Sequence, residues 1–243
     1  MNPALPAGGA DRNCIPLYDF ADLRVLNNYV REMPLRSSSL RSLGGYGNVF
    51  AIESFMDECA AAAGADPIEF RLRHLSDPRG RAVIEKLLPQ WTSWKRPEGR
   101  GHGVAFAKYK NLGAYCAVLA EVEVTHEVRC TRLVAAVDVG LPVNPDGVAN
   151  QVEGGCIQAA SWTLKEAWKP GVAGWEDYPI LKFSEVPRVE VLLSQSKENP
   201  VGAGECTMGP TAAAIANALH DALGVRVRDL PLTPERIAAA INL

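Results

Sequence analysis

The chain has 243 residues, a formal net charge of −3, 47% apolar residues and 22% charged residues. That length and balance suit a folded protein with one large core or two small ones, and exclude a disordered or fibrous chain. No basic block gives the footprint of a binder of nucleic acid or anionic membrane, and no apolar run approaches the roughly 20 residues of a membrane-spanning helix.

The opening "MNPALPAGGADRN" lacks the charged-then-apolar order of a secretory signal, so a cytoplasmic location is the expectation. Residues 1–45 mix Pro, Gly and Ser with short apolar stretches such as "IPLYDF" and show no helical period; strands and loops are expected there. "NVFAIESFMDECAAAAG" then places Phe55, Met56, Cys59 and Ala63 at helical spacing, with Gly64 as its left-handed stop. Asp66-Pro67 and Asp77-Pro78 each supply a capping acid followed by a proline that fits the first helical turn. Three short helices are therefore predicted over about residues 49 to 88.

After Gly103 the period changes to two. "VLAEVEVT" alternates Val118, Ala120, Val122 and Val124 with Leu119, Glu121, Glu123 and Thr125, which predicts a strand with one wet face. "RLVAAVDVG" is uniformly apolar and suits a more buried strand. "VANQVEGGCIQAASWTLKEAW" predicts a helix entered through "NPDG", and "RVEVLL" another strand. Gly209-Pro210 opens a further helix that Gly224 closes, and Thr233-Pro234-Glu235 opens the last. The class is α+β, with no internal repeat, linker or low-complexity tract.

Six cysteines, Cys14, Cys59, Cys116, Cys130, Cys156 and Cys206, are scattered without a C-x-x-C pair; they read as reduced, mostly buried thiols rather than zinc or iron–sulfur ligands. The four histidines form no H-E-x-x-H and read as surface residues. G-x-S-x-G, the P-loop and G-x-G-x-x-G are all absent. One acid stands out. Glu205 lies in "VGAGE", between glycines and ahead of an alanine-rich helix, where backbone amides favour a carboxylate and the missing side chains let another group approach. A surface acid that merely favours the helix dipole is the competing reading. Gln151 and Glu153 beside Gly154 and Gly155, and Arg41 beside Gly44 and Gly45, are weaker signals; from pattern alone ordinary helix packing and an exposed arginine explain them better.

Several stretches taken together resemble the molybdenum-binding large subunit of the xanthine dehydrogenase and aldehyde oxidase family, in its C-terminal portion. They are "LRSLGGYGNVFAIESFMDECA" with "DPIEFRLRHL", "VDVGLPVNPDGVANQVEGG", and "VGAGE" followed by "AAAIANAL" and "GVRVRDLPLTPERI", in the family's order. "DRNCIPLYDF" and "NVFAIESFMDE" are most similar to the nicotinate dehydrogenase branch. The resemblance implies that residues 1–243 are the C-terminal part of a molybdenum cofactor-binding domain, a mixed sheet with flanking helices, and that they take a molybdenum–molybdopterin cofactor, or its cytosine dinucleotide form, with no direct protein ligand to the metal. It implies that Glu205 is the general base in hydroxylating an N-heteroaromatic, nicotinate-like or aldehyde substrate with oxygen from water. Gln151 and the loop Gly202, Ala203 and Gly204 would touch the cofactor, Arg41 would orient cofactor or an acidic substrate, and Leu43 stands where xanthine-type members carry an aromatic that stacks on the purine. A leucine there argues against a purine.

The family's G-G-G-F-G and G-x-x-x-G-Q-G cofactor segments are missing here, as are iron–sulfur, flavin and haem signatures. The expected partners are an N-terminal molybdopterin-binding half or subunit and an iron–sulfur subunit, with any flavin or haem on partner chains and inactivity of the chain alone. The alternative is a non-catalytic truncated fragment or assembly module that folds and self-associates without cofactor.

Overall fold

Local capping decides where the helices begin. In the computed structural model, which describes residues 9–242 apart from 29, 31, 33–38 and 96, Asp66 Oδ1 accepts from the amides of Ile68 and Glu69 at the start of α2 (Pro67–Arg73). Asp77 does the same for Arg79 and Gly80 at α3 (Pro78–Glu85). Ahead of them α1 (Gly45–Ala62) ends where Gly64 takes φ +60°, with Gly64 N–H on Ala61 O and Ala65 N–H on Ala60 O closing the last turn. A fourth short helix, α4 (Leu88–Ser93), follows the predicted three, because Pro89 falls in its first turn, where no amide is needed.

The sheet has the order β1-β2-β3-β4. β1 (Arg100–Lys108), β2 (Tyr115–Val124) and β3 (Val128–Asp138) run antiparallel in sequence, and β4 (Arg188–Leu193) joins β3 in parallel. α5 (Pro145–Leu164), capped by Asn144, fills the β3-to-β4 crossover. α6 (Met208–Leu223) closes at Gly224, φ +71°, and α7 (Pro234–Ile241) is capped by Thr233.

Three layers result. On one face Val118, Ala120 and Val122 pack with the apolar sides of α5 and α6; on the other Ala117, Leu119 and Phe106 pack with Ile68, Ile84 and Leu87 of the short helices. The wet face predicted for β2 is thus covered along its first half: Leu119 is 0% exposed, and only Glu121 and Glu123 keep partial access to solvent. Helices lying on both faces override the alternation, which describes a sheet with one covered side.

One strand went unread and three other expectations are corrected. β1 carries no alternation legible beforehand, because Gly101 and Gly103 interrupt it. The described part of residues 9–44 contains no strand; "IPLYDF" is a strap, with Tyr18 buried, its hydroxyl on Glu53, and Asp19 N–H on His74 O. Phe55, placed on the inward stripe by spacing, is 61% exposed, while Phe50 and Glu53 point inward. His102 is buried, its Nε2 3.2 Å from Glu121 Oε2. Glu53 joins the layers: its carboxylate takes Arg71 Nε and the Phe106 amide at 2.8 Å each, and its backbone oxygen takes Arg71 and Asn217. Every oxygen of this buried ion is satisfied, as an ion at that depth requires.

Candidate active site

After β4 the chain doubles back along the end of β3, with Ser194 N–H on Val137 O and Val201 N–H on Val139 O, each at 2.8 Å. That course brings Gly202–Glu205 to the tip of the sheet, just ahead of α6. Glu205 is half-buried and both of its oxygens are engaged. The Ser42 amide donates to Oε1 at 2.7 Å and the Tyr109 hydroxyl donates to Oε2 at 2.7 Å. Burial pulls the acid's pKa upward, but the Tyr109 and Ser42 donors and the nearby cations Lys110 and Arg12 outweigh it, and the net shift is downward. The carboxylate is therefore ionised at neutral pH.

Ser42 and Leu43 both adopt left-handed backbone, φ +75° and +52°, which is uncommon for residues other than glycine. At that conformation the Ser42 amide meets Glu205. Tyr109 is fixed from behind by Arg12 Nη1, 2.8 Å from its oxygen, and burial with the Glu205 contact pushes its pKa up to about 12. Tyr109, Ser42 and Arg12 went unread in the sequence. No motif marks them, since they reach Glu205 or one another across roughly a hundred residues or more.

Arg41 turns away from solvent anions. Nε donates to Gly204 O at 2.6 Å, Nη1 to Gln158 Oε1 at 3.0 Å and Nη2 to Gln151 O at 3.2 Å. The guanidinium thereby ties the Glu205 loop to the middle of α5. Gln151 sits on the exposed start of α5, with Nε2 3.3 Å from the same Gly204 oxygen. Gln151 and Ala203 line a cavity of about 320 Å³, and Leu43 lines a larger one of about 780 Å³; Glu205 lines neither. Arg41, Gln151, Gly204 and Glu205 are thus brought together, and Leu43 joins them through its neighbour Ser42.

The sequence profile of the molybdopterin cofactor-binding domain matches residues 61–187, just over half of the chain. The chain belongs to that family. Among curated relatives of this family, one subunit of the nicotinate dehydrogenase of Pseudomonas putida is 43% identical over 267 aligned positions covering 99% of the chain and 22% of the relative. The beta subunit of the isoquinoline 1-oxidoreductase of Brevundimonas diminuta is 35% identical over 80% of the chain and 26% of its own length. The chain thus spans about a quarter of the curated relatives it matches. In fold it is similar to the aldehyde oxidoreductase of Desulfovibrio gigas, TM-score 0.73 at 15% identity, covering 84% of this chain and 42% of that one. The quinoline 2-oxidoreductase of Pseudomonas putida 86 gives 0.71 at 15% identity, over 83% and 52%.

The surroundings of the loop fit a molybdopterin group. A methyl group built on Gly202 or Gly154 would meet no atom within 4 Å, and one on Gly204 would meet only the Gln151 amide at 3.8 Å, so this side of the loop is open to a ligand. Among the described residues none accepts a hydrogen bond from the amides of Gly202, Ala203, Gly204 or Glu205, leaving a run of donors for an acceptor-rich group. Among the described residues no cluster of His, Cys, Asp or Glu offers metal ligands, and no helix is long and apolar enough to cross a membrane.

Proposed function

We propose that this chain forms the base-bearing wall of a molybdenum hydroxylase site and acts on an N-heteroaromatic or aldehyde substrate. The observation that carries the reading is the Glu205 carboxylate, held ionised by Ser42 and Tyr109 on a loop whose open side and free amides suit a cofactor. When bound, the molybdenum cofactor supplies the two-electron oxidation of the substrate carbon. Glu205 receives the proton of the water that provides the product oxygen, a task that needs an ionised acid at a fixed position. Gln151 and the amides of Gly202 to Glu205 hold the cofactor. Arg41 acts by positioning the loop through Gly204, which moves it from the direct cofactor or substrate contact expected from sequence to a supporting place. Leu43 faces the substrate side.

An N-terminal molybdopterin-binding half or subunit completes the cofactor site with a second wall, and an iron–sulfur subunit carries electrons away; similarity to proteins named as single subunits supports a partner chain, and the roughly three-quarters of those relatives that this chain does not span leaves room for the second wall. Isolated, the chain does not turn over. The test is co-expression with those partners. Glu205→Gln is expected to lower turnover by about 10²- to 10⁴-fold, the usual contribution of a general base, with molybdenum content unchanged. Wild-type turnover in the variant overturns the assignment. Stable metal-free homo-oligomers, formed even when partners are supplied, would favour the assembly-module reading instead.

A further inference from the structure

The cavity of about 780 Å³ lies within the roughly 300–1,000 Å³ of small-molecule sites. Its wall is aromatic. Tyr46 and Trp162 meet edge-to-face at 5.4 Å between ring centroids, and Trp175 and Tyr178 at 5.8 Å, with Trp168 beside them. Edge-on pairs leave ring faces free to stack on a third ring or to receive a cation. The charge lining is one-sided. Glu166 is the sole ionisable acid or base besides the tyrosines among the described lining residues, and none is Lys, Arg or His. Lys165, next in sequence, is held by Glu185, and Arg41 is engaged with Gly204, Gln151 and Gln158. Glu166 stands against Tyr178, whose pKa is raised by burial first and by this carboxylate second.

We propose that this bowl binds a flat heteroaromatic ring that is neutral or cationic and discriminates against a carboxylate-bearing ring such as nicotinate. The inference deepens the hydroxylase reading and rests on it for the link to catalysis: Ser42 holds Glu205 while the next residue, Leu43, lines the bowl, so bowl and base share one chain segment although Glu205 itself does not line the bowl. An anionic ring would be desolvated beside Glu166 with no Lys, Arg or His among the described lining residues, the nearby Arg236 being engaged with Pro231 O; a quaternary heteroaromatic would gain both ring faces and the acid.

Equilibrium dialysis of this chain against quinoline, N-methylquinolinium and nicotinate tests the proposal without cofactor or turnover. N-methylquinolinium is expected to bind roughly tenfold or more tightly than nicotinate, with quinoline between them. Trp175→Ala, at a ring already 79% exposed, weakens both quinoline-type probes with circular dichroism unchanged, and Glu166→Gln weakens the cation alone by roughly tenfold. Nicotinate binding as tightly as N-methylquinolinium, absence of binding of both quinoline-type probes to folded chain, or an unaltered cation affinity in Glu166→Gln overturns it. Glu205→Gln is expected to leave all three affinities unchanged, so failure of the base assignment and failure of the bowl read out separately.

Discussion

As the proposed base, Glu205 must stay ionised and stay aimed, and two residues secure both. The Tyr109 hydroxyl and Ser42 amide each donate to one oxygen, favouring the charged form. Arg12 supports Tyr109 from the far side at 2.8 Å, and Lys110 adds a second positive charge. The shift is downward, so the carboxylate's protonation lies below the ordinary Glu range of about 4.3, and the acid limb of a pH–activity profile should lie there too. Tyr109→Phe removes one donor and leaves the ring. Its expected effect is an upward move of Glu205's pKa, read by carbon-13 NMR titration of labelled glutamate in this chain, with the acid limb of turnover following it. A titration identical to wild type would show that the hydroxyl merely packs. None of this was legible in the sequence, because the partners lie 96 and 163 residues from Glu205 and approach through backbone and hydroxyl, which leave no motif. The glutamate itself was legible, because its glycine neighbours are local.

Among elements, the close docking of α6 on β1 sets the floor under the site. A methyl group at Gly103 would stand 2.2 Å from Ala214 O and Ala218 N, and one at Gly101 2.0 Å from Ala218 O. The glycines of "GHGVA" and the alanines of "AAAIANALHDA" are one feature: a helix backbone lying on a strand backbone. Gly103→Ala is expected to destabilise by about 1–3 kcal/mol or more, since the atoms in the way are backbone and no rotamer relieves them. Gly202→Ala is the contrast, with open space beside it: stability within about 0.5 kcal/mol of wild type by urea unfolding, and a loss of molybdenum retention in the assembled protein. Equal destabilisation of the two would refute this account of the glycines. The same pair explains what the pattern conveyed. Helix starts were legible because Asp66, Asp77 and Thr233 cap through their own next residues. β1 was not, because its glycines serve a helix more than a hundred residues later, and the double burial of β2 depends likewise on helices far from it in the chain.

At the scale of the whole molecule, carboxylates with lowered pKa are the long ties between layers. Asp138 at the end of β3 accepts Arg79 Nε at 2.9 Å and Nη2 at 2.7 Å, fixing α3 to the sheet. Asp77 accepts Tyr115 and Glu58 on α1 pairs with Arg228 in the tail, while Glu121 accepts Arg100 and Thr131 and ties neighbouring strands within the sheet. For Asp138, Asp77 and Glu121 burial is the largest influence and acts upward, yet the donors prevail; for Glu58 the Arg228 hydrogen bond leads. An acid whose folded pKa is depressed lends stability that is fully present above its unfolded value and disappears as pH falls through the folded one. With unfolded values of about 3.9 for Asp and 4.3 for Glu, the melting temperature should hold nearly level from pH 7 to about 5 and fall steeply below about 4. Asp138→Asn removes one tie at every pH and its titration with it, so the variant should melt lower at neutral pH and lose less on acidification. Calorimetric scans from pH 7 to 3 check both halves. A wild-type melting temperature that rises as pH falls below 4, or a variant with the same acid slope, would mean that these carboxylates do not bind the layers together.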